Sequence, residues 1–543
     1  MKLNIIKKSF VVVSAFLLTT VEGCKKSDFA INDNPYELTE TTIDFKTVLP
    51  AALSATANSV ATDWTVFQKW MGYWARSGSF QNIADEESYN FTNDFAANIW
   101  NNLYRNISIY DVIDQKATAA NSGVYAGIAK IMKAHNYGLL VDVYGNIPYS
   151  DALKGLNGLT PKYDKGVDVY KNLFRLIDAG IAQMTNPVSS SALNNVDIAK
   201  NDLAFQGNVT KWKKLANTLK LRLLVHASDA PGFPIAAEMA IINASGVGYI
   251  GAGETMQINP GYITSKPNPF YRLYVKNEND VNGGFSQSVR ANEYAIGDGS
   301  SGGYYGYNAD PRVGKLYVAG GLGLRGLPYG FVAGTAPDYE TGNTASIGGT
   351  GLVPTGATSR AWILTSVESL FLQAEAKHRN IIAGGPGTAQ SLVTDAVNES
   401  FVFLGLTLAQ ASSYLSGNAG YVDVDYSSVG TAPPGNTPST AYPQVAGNTL
   451  NKGLYTIISQ KWFALNAIAP FEVWNDYRRS DIKLGLETGF AQGPPLSIYP
   501  GRTVNKLPVR LFYPQNEYNF NAANVAAQGA INVFNNKIFW DIN

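Results

Sequence analysis

The sequence predicts a mainly α-helical protein in which helix pairs form a scaffold, long irregular loops interrupt it, and β structure is scarce. Three observations carry this expectation. Apolar residues recur at spacings of three and four in several long segments, each leaving one apolar stripe that needs neighbours to cover it. Two stretches rich in Gly, Pro, Ser and Asn, near 228–360 and 411–450, hold no strong helical period. No Pro- or Ser-rich linker divides the chain, so residues 46–543 are expected to form a single domain with those stretches as insertions.

The N-terminus reads as an export signal. Lys2, Lys7 and Lys8 precede an apolar run from Phe10 to Leu18, which is too short to span a bilayer as a mature helix. Val21-Glu22-Gly23-Cys24 follows, with an apolar residue at −3, a small one at −1 and Cys at +1, similar to the bacterial lipobox. Residues 1–23 are thus expected to be a lipoprotein signal peptide, Cys24 the lipidated residue, and 24–45 a polar tether. Cys24 is the only cysteine, which excludes an intrachain disulfide and a CxxC metal or redox site. Several acyl chains at about 0.8 kcal/mol per buried CH2 would hold such a protein firmly at a membrane.

Removing residues 1–23 takes away three lysines and one glutamate, leaving 39 basic and 41 acidic residues and a net charge of −2. That balance gives no basic field, so nucleic acid is not an expected partner.

The helical period is clear in Tyr125, Ile128, Ala129, Met132, Asn136, Leu139 and Leu140. It returns in Val169, Tyr170, Leu173, Phe174, Leu176, Ile177 and Ile181, and in Trp212, Leu215, Ala216, Leu219 and Leu223. Segments near 362–381 and 452–468 behave alike. Paired helices of this size point to tetratricopeptide-like stacking, although the usual repeat signature is not clean.

Several phrases then align in order: Trp100-Asn-Asn-Leu-Tyr104, Val141-Asp-Val-Tyr-Gly-Asn-Ile-Pro-Tyr-Ser-Asp-Ala152, Lys211-Trp-Lys-Lys-Leu-Ala216, Asp310-Pro-Arg312, Glu368-Ser-Leu-Phe-Leu-Gln-Ala-Glu-Ala376, Trp474-Asn-Asp-Tyr-Arg-Arg479 and Pro508-Val-Arg-Leu-Phe-Tyr-Pro514. Together they resemble the SusD/RagB family, in its SusD-like lipoprotein branch, over nearly the whole mature chain. The resemblance implies a tetratricopeptide-like helical scaffold. It also implies an outer-membrane lipoprotein, exposed at the cell surface, that binds oligosaccharides or, in some branches, peptides. Such proteins act as a lid on a SusC-like TonB-dependent transporter, which makes that transporter the expected partner. No cofactor is implied.

Asp142, Gly145 and Pro148 read as a helix end and turn, with Asp142 and Asn146 satisfying turn amides. Glu368 and Glu375 lie seven apart, about 10 Å along one helix face. That is marginal for a glycosidase pair, so ion pairs with Arg360, Arg379, Arg478 or Arg479 are expected instead. His135, His226 and His378 are the only histidines and fall far apart. They form no metal motif, and no nucleophile elbow accompanies them. Gly321-Leu-Gly-Leu-Arg-Gly326 matches a dinucleotide fingerprint by letter, but no amphipathic helix follows it. An enzyme is therefore not the expected reading, and no metal is assigned.

A sugar site needs exposed rings interleaved with hydrogen-bonding groups. Two segments fit: Trp70 to Phe80, from which Trp74, Arg76 and Phe80 are candidate ligand-binding residues, and the glycine-rich run holding Tyr304, Tyr305, Tyr307 and Asn308. For Trp70, helical spacing to Trp74 favours core packing. Three other readings stand beside glycan capture: peptide capture on the same scaffold, a surface glycosidase, and a transporter subunit without ligand contacts of its own.

Overall fold

Helix α3 (Gly123–Tyr144) is buried on nearly every side, unlike a surface helix. The reason is its position: it packs against α2 (Ala97–Ala119) on one flank and α4 (Gly166–Thr185) on the other. In this computed structural model, which describes residues 43–300, 302–427, 449–480 and 494–542, residues 45–543 make one compact unit. The expected signal peptide, Cys24, the expected tether up to residue 42 and residues 428–448 of the second loop-rich stretch lie outside the described residues.

The scaffold is built from helix pairs. α1 (Phe45–Thr62) packs on α2, and α4 and α3 both contact α5 (Val209–His226). The later part repeats the arrangement. α6 (Ser366–His378) packs on α7 (Ala389–Phe403), α7 on α8 (Leu408–Gly417), and α9 (Thr449–Leu465) on α6 and on α10 (Pro470–Arg479). The expected helical periods at 125–140, 167–184 and 212–223 all lie inside helices. The period near 362 begins instead with a strand, Trp362–Leu364, and α8 occupies the start of the second glycine-rich stretch.

Local chemistry explains the helix ends. Thr388 with Ser391 and Thr407 with Gln410 form capping boxes, and the Asn208 side chain accepts from Lys211 N at 3.0 Å. α3 stops at Gly145, whose φ of +77° suits glycine, before Pro148. α3 and α4 cross where both are glycine: a Cβ on Gly127 would lie 2.6 Å from the Gly180 carbonyl oxygen.

Asp142 corrects one expectation. Its carboxylate accepts from the Tyr170 hydroxyl and from Trp540 Nε1 (3.0 Å) rather than from turn amides. Asn146 does serve an amide, accepting from Gly166 N at 3.0 Å.

Short strands tie the loop-rich part together. β1 (Trp74–Arg76), β5 (Val289–Ala291), β7 (Ser346–Ile347) and β6 (Tyr317–Val318) form an antiparallel sheet in that order, with Arg76 opposite Val289. β2 (Ile147–Pro148) pairs with β3 (Tyr163–Asp164), and β4 (Met256–Gln257) with β8 (Trp362–Leu364). Among the described residues no helix is long and apolar enough to cross a membrane.

Candidate ligand-binding site

A cleft of ≈ 720 Å³ opens beside β1, between the end of α1, the start of α2 and the loops around 80 and 285. A volume of this size suits a small-molecule or oligosaccharide segment. Its rim is apolar and exposed: Phe80 (40 %), Ile83 (43 %) and Phe285 (42 %). Its polar lining comes from Asp63, Lys69, Arg76, Gln81, Glu86 and Asn98.

The polar groups are held in place. The Asp63 carboxylate accepts from Asn98 Nδ2 (3.0 Å) and from Asn102 Nδ2 (3.0 Å). Burial pushes the Asp63 carboxyl up from the ordinary aspartate range, an effect that these amide bonds partly offset. Lys69 Nζ pairs with Glu86 Oε1 at 2.6 Å. Rings beside fixed donors and acceptors suit a neutral, hydroxyl-bearing ligand with apolar faces.

Arg76 lines the cleft but is already committed. Its Nε lies 2.9 Å from Glu87 Oε1, and its other nitrogens donate to the carbonyls of Ser77 (2.8 Å), Phe80 and Phe331 (2.5 Å). Asn82 Nδ2 also donates to the Phe331 carbonyl, at 3.0 Å. These charge-assisted bonds clasp the loop that carries Phe80 to the loop at 331. Burial raises the Glu87 carboxyl, and the adjacent Arg76 charge opposes that rise. Arg76 thus positions the rim.

The remaining sequence candidates lie elsewhere, and the expectation that they are exposed fails for most of them. Trp74 is 1 % exposed, packed edge-on against Tyr274 at 4.9 Å, because Phe270 and Tyr274 of the helix Pro269–Tyr274 cover it where it stands on the edge strand β1. Tyr304 and Tyr305 are buried under α9: Tyr304 packs on Phe463 (4.5 Å), and the Tyr305 hydroxyl donates to the Phe463 carbonyl (2.7 Å). Asn308 is buried too, donating to Asp423 Oδ2 at 2.8 Å. Tyr307 is half-buried. Of the named candidates, only Arg76 and Phe80 line the cleft. Trp70 is core, among Phe67, Phe95 and Trp474.

Sequence reasoning missed Asp63, Lys69, Glu86, Asn98 and Phe285, which come from separate short elements and share no periodic signal. The paired glutamates are structural. Glu375 binds Arg379 (Nε, 2.8 Å) and Arg479, and Glu368 faces Arg222 at 3.2 Å, while Arg360 is exposed. Among the described residues no group of three or more His, Cys, Asp or Glu is arranged to hold a metal ion.

The fold is similar to solved structures. A chitin-binding SusD homologue from Flavobacterium johnsoniae superposes with a TM-score of 0.69 at 21 % identity, covering 91 % of this chain and 99 % of that one. A SusD homologue from Bacteroides uniformis gives 0.66 at 24 %, covering 91 % and 99 %. One from Bacteroides thetaiotaomicron gives 0.68 at 19 %, covering 92 % and 99 %. No curated protein sequence matches the chain. The family model described as starch-binding and associating with the outer membrane matches residues 35–514, and the chain belongs to this SusD-like family.

Proposed function

We propose that the protein is a cell-surface lipoprotein of the outer membrane, anchored through Cys24, that captures oligosaccharides in the cleft beside β1 and delivers them to a SusC-like TonB-dependent transporter, for which it acts as a lid. The observation that carries the capture step is the cleft itself. Exposed Phe80 and Phe285 edge a space lined by Asp63, Asn98, Gln81 and the Lys69–Glu86 pair. Family membership supports the carbohydrate class and the outer membrane, and the lipobox-like sequence at 21–24 supports the anchor. The chitin-binding relative adds β-linked amino-sugar chains to the ligands worth testing beside starch fragments.

Binding without turnover is the proposed chemistry. The carboxyl groups in the cleft are Asp63 and Glu86. The first is tied to two asparagine amides and the second to Lys69, so each already has fixed partners. Calorimetric titration with oligosaccharides of starch and chitin type and with a peptide set, combined with product analysis, tests the reading. Saturable glycan binding with no cleavage is the expected result. Glycan cleavage would overturn it in favour of a glycosidase. Binding of peptides alone would move the ligand class to peptide on the same scaffold.

A further inference from the structure

Deep in the core, helices from the two halves of the scaffold meet around charged groups that do not line the cleft. His226 on α5 lies between two carboxylates, with Nε2 2.9 Å from Glu472 Oε2 on α10 and Nδ1 3.3 Å from Asp142 Oδ2 on α3. Arg222, one turn earlier on α5, holds Glu368 Oε1 of α6 at 3.2 Å and reaches Glu472 Oε1 at 3.7 Å. Its other terminal nitrogen donates to His135 Nδ1 of α3 at 2.8 Å. All these side chains are buried.

The hydrogen-bond directions fix most of the charges. A guanidinium only donates, so His135 Nδ1 must accept and the imidazole is neutral. Burial and the Arg222 charge both hold its pKa well below the usual histidine range. His226 faces a carboxylate with each ring nitrogen, which makes it a cation, and those carboxylates raise its pKa against the opposing effect of burial. Lys461 of α9 also faces Glu368 and Glu472, but its ammonium lies 3.0 Å from Asp476. Arg479 takes Glu375 and Asp476.

Among the described residues, Arg222 and His226 are the two cations within 4 Å of the three carboxyl groups, and the buried Arg478 on α10 adds a more distant positive charge near Asp142 and Glu472. Asp142 receives Tyr170, Trp540 and His226, while Glu472 has His226 at 2.9 Å and a second cation, Arg222, at 3.7 Å, beyond hydrogen-bond reach. Arg222 is the one cation within 4 Å of Glu368 among the described residues. An uncompensated buried charge is costly, and Glu368, whose one close cation is shared with Glu472, is the least compensated of the three and the one that takes up a proton. We propose that this cluster is a proton-binding site, in which Glu368 carries the proton at mildly acidic pH and its loss above neutrality weakens the joint between α3, α5, α6 and α10.

Burial and the neighbouring Glu472 push Glu368 up to about 7, with Arg222 opposing. A pKa raised on folding gives stability that is complete below the unfolded value of 4.5 and lost as pH rises through about 7. Glu368→Gln keeps the shape and a donor without the charge. Its thermal midpoint, compared with the parent protein, is expected to gain steadily from pH 5 to pH 8.5. A difference that is constant, or that turns against Gln as pH rises, would overturn the proposal, since an ionised Glu368 would then be stabilising.

If that variant does not fold, infrared spectra of protein labelled with 13C at the glutamate carboxyl give a second test. Glu87 and Glu293, two further glutamates raised by burial, would be replaced by Gln in the labelled protein. A protonated-carboxyl band is expected at pH 6.5, where ordinary glutamates are ionised, and is gone by pH 8.5. Its absence at pH 6.5 would overturn the assignment.

Discussion

Lys69 Nζ stands 2.6 Å from Glu86 Oε1 in the lining of the cleft, so these two charges cancel where a ligand would lie. Asp63, held by neutral amides, is the carboxyl left in the lining, and a neutral oligosaccharide carries no charge to interact with it. Its dissociation constant is expected to change by less than about twofold between 0.05 and 0.5 M salt, conditions that screen exposed ion pairs strongly. Calorimetry at the two salt concentrations checks this; a steep salt dependence would point to an anionic ligand or an acidic peptide.

Glu375 is fully buried between Arg379 and Arg479, and those cations hold its carboxyl well below the usual range. Glu375→Ala leaves two guanidinium groups short of a partner. The expected loss is about 3–5 kcal/mol in chemical denaturation, with ligand affinity of the folded fraction unchanged.

Gly127 and Gly180 allow α3 and α4 to touch backbone to backbone. Gly127→Ala would put a Cβ 2.6 Å from the Gly180 carbonyl and 2.7 Å from the Met184 methyl. It is expected to destabilise by roughly 1–3 kcal/mol through overpacking. Gly306→Ala meets open space and should lie within about 0.5 kcal/mol of the parent.

Asp423 is buried, and that burial pushes its carboxyl up to about 6, partly opposed by the amide of Asn308. Because the folded value is the higher one, its contribution is present below pH 3.8 and lost as pH rises through about 6. The full span is worth about 3 kcal/mol at most. Denaturation curves from pH 4 to pH 8 should therefore show a flatter decline for Asp423→Asn than for the parent.

The scaffold was legible because its helices are long and each repeats one apolar stripe. α3, α4 and α5 could be placed to within a few residues from Ile128, Leu173, Trp212 and their neighbours. β8 was not, since three residues carry no period and Trp362, Ile363 and Leu364 are buried alike. The site was legible in part. Phe80 sits after the short polar turn Ser77-Gly-Ser79 and is exposed, as its context implied. Tyr304 and Tyr305 share that kind of context but are covered by Trp462 and Phe463, about 160 residues later, a contact no local pattern reveals. Lys69 and Glu86 likewise meet only through tertiary packing.

The most direct test of the capture reading is calorimetric titration of the glycan panel into the parent protein and Phe80→Ala, with thermal midpoints measured in parallel. Phe80 is a rim ring, so its removal should leave the midpoint within a few degrees and weaken glycan binding about tenfold, the loss of one stacking contact of roughly 1–1.5 kcal/mol. Glycan binding with unchanged affinity in Phe80→Ala would contradict the placement of the ligand in this cleft.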